Sequence, residues 1–257
     1  MLPRNILIGL SLRHRGDWDK IYQSITFFKD YDEEEFLEKE IAKIECGILT
    51  ILDEEYPQYL KEIFHPPFVL YYYGDISLIY DNKNNLSVIG TREPSVDGVN
   101  NTHKIIRSLK KEVVVVSGLA AGIDGEAHLA ALYSKHPTIA VLGSGVNCPF
   151  PPQNKDLYYR IKRNPKNLII SEYPPGIFPA AEQFPLRNRL ISAFGKALLV
   201  TEAKRRSGTS ITIAFALEQG RDILCIPSSN LNDSVCNACI KDGAFLVEND
   251  EDVNVFF

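Results

Sequence analysis

From residue 47 onward the chain repeats one pattern: a short apolar run, a turn rich in small residues, then a stretch whose apolar positions recur every three or four residues. The runs at 47–52, 68–73, 86–89, 113–116, 138–142, 168–171, 197–201, 223–226 and 244–247 predict strands. The stretches at 99–109, 125–134, 155–162, 186–193 and 211–219 predict helices. A short helix opening at Tyr56 is ended by His65-Pro66-Pro67, because a residue before proline is pushed out of the helical region. Such alternation means an α/β fold: a doubly wound, mostly parallel sheet with helices on both faces. Residues 1–45 differ. Ile21, Ile25 and Phe28 recur at helical spacing, as do Phe36, Leu37, Ile41 and Ile44, with Asp17 and Asp32 placed to cap helices over 18–28 and 33–44. They read as a small helical domain, 1–45, ahead of the α/β domain, 46–257.

Four strands run into turns of small residues. They are Gly90-Thr91-Arg92, the segment from Ser117 and Gly118 through Gly122 to Asp124, Gly143-Ser144-Gly145, and, after a basic stretch, Ser207-Gly208-Thr209-Ser210. In an open parallel sheet ligands bind beyond the carboxyl ends of the strands. Small turns let backbone N–H groups approach an anion, and a following helix adds its positive end. Tight turning alone would explain any one of these segments; four on one sheet edge favour a receptor for phosphates. Ser207–Ser210 is the sharpest site: Ser and Thr cap helices, Gly208 permits close approach, and Lys204-Arg205-Arg206 precedes it. The helix that follows is apolar nearly all round, so it is expected to be buried with its N-terminus aimed at the edge. Phe184-Pro185-Leu186-Arg187-Asn188-Arg189 sets two arginines at another helix start. Two positions apart they do not share a face, so one is expected to meet the ligand and the other the protein. Arg92 is the third candidate, and the guanidinium fork can give phosphate two hydrogen bonds.

The chain has 257 residues and a formal charge of −5, with acid concentrated at 30–35 and 248–252. The basic groups near the proposed edge would then form a positive patch on an acidic protein. No apolar stretch approaches the roughly 18 residues of a membrane span, and residues 1–12 lack an export pattern. The five cysteines are few and odd in number, which fits a reducing cytoplasm. Cys236-Asn237-Ala238-Cys239 has no second pair to complete a zinc site, so no metal is expected. Gly143-Ser144-Gly145 lacks the third glycine of a dinucleotide fingerprint, and no P-loop or G-x-S-x-G occurs, so neither a cofactor nor a serine-triad catalytic site is expected. Asp124 and His128, four apart, could be an acid–base or metal pair; with no third ligand nearby, a capping aspartate and an interior histidine is the favoured reading. Glu202, after a buried strand, could serve a nucleotide hydrolase.

Taken in order, these segments resemble DNA-processing protein A (the DprA/Smf family). The matching residues are Tyr56-Pro57-x-x-Leu60, Pro66-Pro67-x-x-Leu70-Tyr71, Gly90-x-Arg92-x-x-Ser95, Ser117-Gly118-Leu119-Ala120-x-Gly122-Ile123-Asp124, Thr138 through Gly143-x-Gly145, Ser171-Glu172-Tyr173-Pro174, Phe184-Pro185-x-Arg187-Asn188-Arg189 and Glu202-Ala203-x-x-x-Ser207-Gly208-Thr209. The resemblance implies an extended Rossmann fold, with a sterile-alpha-motif-like helical start. It implies a non-enzymatic, homodimeric, cytoplasmic protein that binds single-stranded DNA and loads the RecA recombinase in natural transformation. DNA contacts would fall on Arg92, Ser117, Gly118, Gly122, Arg187, Asn188, Arg189, Ser207, Gly208 and Thr209, joined on the phosphate argument by Gly90, Gly143, Gly145, Lys204 and Ser210. Ala121 stands where the family usually has arginine, and the sequence ends without the winged-helix tail of many members. The rival expectation is an enzyme, a nucleoside-monophosphate phosphoribohydrolase, for which Glu202 or Asp124 would supply the carboxylate.

Overall fold

The computed structural model of the protein describes residues 3–27, 34–204, 207–230 and 233–257, without the side chains of 34–37. Phe28, the Asp32 cap, the Phe36 and Leu37 side chains, Arg205 and Arg206 lie outside the described residues. In chain order come α1 (Arg4–Arg13), α2 (Trp18–Phe27), α3 (Glu34–Ile41), β1 (Gly47–Thr50), α4 (Gln58–Lys61), β2 (Val69–Gly74), β3 (Asn85–Gly90), α5 (Val96–Arg107), β4 (Val114–Ser117) and α6 (Ile123–Ser134). There follow β5 (Thr138–Leu142), α7 (Lys155–Arg163), β6 (Leu168–Ser171), α8 (Gln183–Phe194), β7 (Ala197–Glu202), α9 (Thr209–Glu218), β8 (Asp222–Cys225), α10 (Val235–Lys241), β9 (Phe245–Leu246) and α11 (Glu251–Asn254).

The strands form one nine-stranded sheet in the order β1-β2-β6-β5-β4-β3-β7-β8-β9. From β6 to β9 every pairing is parallel, and β1 and β2 extend the sheet antiparallel. The chain builds outward from β3 through β6, then returns to lay β7 on the other side of β3. That reversal opens a crevice between the carboxyl ends of β3 and β7.

Burial on both faces explains the unbroken apolar runs. In β4, Val115 joins the cluster under α5 and α6, while Val114 and Val116 point to the side covered by α8 and α9. At the N-terminus, α1 was not separable by periodicity, because RNILIGLSLR has no one-sided pattern. Its Leu7 and Ile8 are fully buried in a cluster shared with Val69, Tyr71 and Ile169 of the sheet. The Asp17 carboxylate accepts the Lys20 amide at 3.1 Å, the cap expected for α2.

The helices that follow the small turns begin two or three residues before their first periodic apolar position. In α5 the cap is Ser95, whose Oγ accepts the Gly98 amide at 3.0 Å. The expectation that α9 is buried all round needs correction. Thr209, Thr212, Ile213 and Ala216 are buried, but Ile211 and Leu217 are 40% and 64% exposed. The helix lies on the outside of the sheet and buries one stripe only, as a surface helix does.

Candidate functional site

The crevice between β3 and β7 is a cavity of about 510 Å³. Its walls include Gly90 at the end of β3 and Arg92 just beyond it, Arg187 and Asn188 from α8, Lys204 after β7, and Ser207, Gly208 and Thr209 at the head of α9. Segments far apart in sequence therefore meet where the strand order reverses. Thr209 Oγ1 donates to the Gly90 carbonyl at 3.1 Å, which ties the start of α9 to the end of β3. Among the described residues no side chain caps α9; the Ser210 and Ile211 amides donate to the Ser207 and Gly208 carbonyls at 3.2 Å, and the positive end of the helix dipole lies at the cavity.

Arg187 is the buried cation of the site, 5% exposed. Its Nη1 donates to the carbonyls of Gly118, at 2.6 Å, and Val141, and its Nε to Asn188 Oδ1 at 3.2 Å. Nη2 has no hydrogen bond among the described residues. Asp124 faces it from α6 and accepts the Gly118 amide at 3.2 Å. Burial pushes the Asp124 carboxyl up, against the pull of Arg187. Burial, opposed by Asp124 and aided by the charge of nearby Arg92, lowers the Arg187 guanidinium to about 10. Arg92 and Lys204 are exposed. The cavity thus holds three cationic side chains near one buried carboxyl whose ionised form is disfavoured, an arrangement that an incoming phosphate would relieve.

The remaining anticipated residues stand behind the cavity wall or away from it. Ser117 Oγ is buried and donates to the Val88 carbonyl at 2.7 Å. Gly118 is the floor beneath Arg187: a Cβ there would lie 2.8 Å from the guanidinium and from Asp124. Gly122 has φ +76°, and a Cβ would sit 2.4 Å from the Thr91 carbonyl, so only glycine lets α6 start against the Arg92 turn. Gly122→Ala is therefore expected to destabilise the fold by about 1 kcal/mol or more, read as a lower denaturation midpoint. Gly143 lies against the Phe184 ring and Gly145 against residues 174–177, with the Gly145 amide bonded to the Ile177 carbonyl at 2.8 Å. Ser210 is exposed, one residue beyond the cavity.

Arg189 is separated from the others. It is 1% exposed and lies outside the crevice. Its Nη2 grips both oxygens of buried Glu172, at 2.7 and 2.8 Å, and its other donors take the carbonyls of His65 and Leu186. Of the two arginines, Arg187 meets the cavity and Arg189 meets the protein, because the helix turns them to different faces. Glu202 is also committed: its Oε2 accepts the amide and hydroxyl of Ser95 at 2.9 and 2.8 Å, at the start of α5. His128 is interior, with Nδ1 2.7 Å from Thr138 Oγ1, while Asp124 serves the Gly118 loop rather than capping its own helix. No group of three or more potential ligands for a metal occurs among the described residues. No helix among them is long and apolar enough to cross a membrane.

Sequence reasoning passed over Phe184, Thr91 and Glu93 as cavity residues. Phe184 pairs with Phe150 across the rim, centroids 5.6 Å apart, and Phe150 is 39% exposed. A partly exposed aromatic pair beside the site was signalled only by the Phe184-Pro185 step ahead of Arg187.

A family model for DNA recombination-mediator protein A matches residues 47–257. The chain is 42% identical over 219 residues to the DNA processing protein DprA of Streptococcus pneumoniae, covering 84% of this chain and 76% of that one. The X-ray structure of DNA processing protein A from Streptococcus pneumoniae superposes with a TM-score of 0.79 at 36% identity, over 98% of this chain and 93% of that one. DNA processing protein A from Helicobacter pylori, whose structure concerns its single-stranded DNA binding mode, superposes with a TM-score of 0.73 at 28% identity, over 83% and 96%. By motif order, sheet topology and these matches, the chain belongs to the DprA/Smf family of DNA recombination-mediator proteins.

Proposed function

We propose that this protein binds single-stranded DNA in the crevice between β3 and β7 and, as a cytoplasmic recombination mediator, loads the RecA recombinase onto it. The observation that carries the DNA reading is the convergence of Arg92, Arg187, Lys204 and the uncapped head of α9 on one cavity at the sheet's switch point. Backbone amides and guanidinium groups hold phosphates and carry little sequence information, while Phe184 and Phe150 offer faces on which any base can stack. The RecA step and a homodimer rest on membership of the family; Ile211 and Leu217 on α9 leave apolar surface for a second copy to cover. Both carboxylates that could serve a phosphoribohydrolase are held in protein contacts, Glu202 at Ser95 and Asp124 at Gly118, which favours a binding protein over that enzyme.

Titration of labelled single strands at rising salt tests this reading. With about three phosphates neutralised, the log–log slope is expected to be about −2, so affinity falls roughly 20-fold between about 50 and 200 mM salt. Arg92→Ala with Lys204→Ala is expected to flatten that slope and weaken all sequences equally. A salt response already flat in the unaltered protein, or a loss confined to one sequence, overturns the phosphate assignment.

A further inference from the structure

A second concentration of positive charge lies outside the crevice. The outer face of α7 and the turn after it carry Lys155, Arg160, Lys162, Arg163 and Lys166, and Lys135 ends the neighbouring α6; all six are exposed. None forms an ion pair among the described residues. Asp156 lies on the same helix, Glu112 lies near His136, and Glu45 lies near Tyr73, whose ring Lys162 covers at 3.5 Å from the centroid. In a chain whose formal charge is −5, this is cationic surface that repels itself and would gain from a polyanion.

Three observations favour nucleic acid as the occupant. The cations are interleaved with exposed aromatic faces: Tyr133 and Tyr159 are 62% and 40% exposed, and Arg160 lies over the Tyr133 ring at 5.3 Å. Stacking platforms among cations suit single strands. The start of α7 also adjoins the crevice. Asn154, at the start of α7, donates to the carbonyls of Leu119 and Ala120 at 3.0 and 2.8 Å, and Ala120 is part of the crevice wall. From there the helix runs about 13 Å to the opposite edge of the sheet. At that far end Lys135, Lys166, Asn164 and His136 line a cavity of about 320 Å³, and His136 Nδ1 is buried there without a hydrogen-bond partner.

We propose that the α7 face is a second contact surface for single-stranded DNA, along which a strand leaving the crevice continues past Lys155, Arg160 and Arg163 to Lys166 and Lys135. The inference rests on the crevice binding DNA, and the experiment separates the two. Oligothymidylates of about 8 and about 30 nucleotides are titrated at several salt concentrations against the full chain and against Arg160→Glu/Arg163→Glu/Lys166→Glu, all exposed positions. The unaltered protein is expected to bind the long strand at least tenfold more tightly, with a slope steeper by about 2. The triple variant keeps its affinity for the short strand and loses the gain with length. Equal length dependence in both proteins overturns the second surface and leaves the crevice intact; equal loss at both lengths also overturns it. Failure of the unaltered protein to bind either length overturns the crevice reading itself. Binding of phosphatidylserine vesicles that disappears in the triple variant, with no change in DNA length dependence, assigns the face to a membrane and overturns the proposal.

Discussion

Arg189→Ala is expected to cost about 3–5 kcal/mol of folding stability, the loss typical of breaking a buried ion pair. Arg189 and Glu172 are 1% and 7% exposed, and the guanidinium also holds the His65 carbonyl through Nε and Nη2 at 3.0 and 2.7 Å. One side chain therefore links α8, the segment after β6 and the segment before β2. Removing it leaves a carboxylate and a carbonyl buried without their donor, and that desolvation penalty sets the size of the effect. Urea denaturation should show the midpoint falling with the slope unchanged. Arg189→Met with Glu172→Leu should recover most of the loss, because replacing both charges removes the unpaired group. A single-variant change below about 0.5 kcal/mol, the size of an ordinary surface substitution, would falsify the structural role.

Acid is expected to destabilise the protein through His128 at up to about 1.4 kcal/mol per pH unit. Thr138 Oγ1 donates to the Val115 carbonyl at 2.7 Å, so its lone pair receives the proton on His128 Nδ1, and the neutral imidazole keeps Nε2 bare. Burial lowers the folded pKa from 6.5 to about 3. Because the folded value is the depressed one, the unfolded chain binds the extra proton as pH falls below 6.5. Stability is whole above that pH and is lost progressively down to about 3. Asp124, pushed up by burial, acts in the opposite sense at acid pH. The difference between the unaltered protein and His128→Asn isolates the histidine, since the amide of asparagine can still donate to Thr138. The variant should lose much of the slope between pH 6.5 and 4; parallel stability curves for the two proteins would refute the assignment.

Much of the architecture was legible before any coordinates. All nine predicted strands occur, within two residues at each end, because a strand buried on both faces must be apolar throughout and its boundaries are punctuated by small residues. The crevice was legible in outline for the same reason: in a parallel sheet every strand ends on the same edge, so glycine-rich turns after strands must gather there. Helix starts were less so. The Ser95 cap is completed by Glu202, more than a hundred residues away, and no local pattern carries that partner.

The sequence by itself determined the α/β class, the edge on which the turns gather, and family membership, since these follow from periodicity and from motifs in fixed order. Only the tertiary structure decided which glycines line the crevice and which merely let loops touch, and which arginine opens on it. Arg187 and Arg189 are two positions apart in one motif, yet one opens on the crevice and the other is clamped on Glu172. A side chain's role depends on which groups from distant segments surround it, and that is fixed by packing and burial, not by its neighbours along the chain.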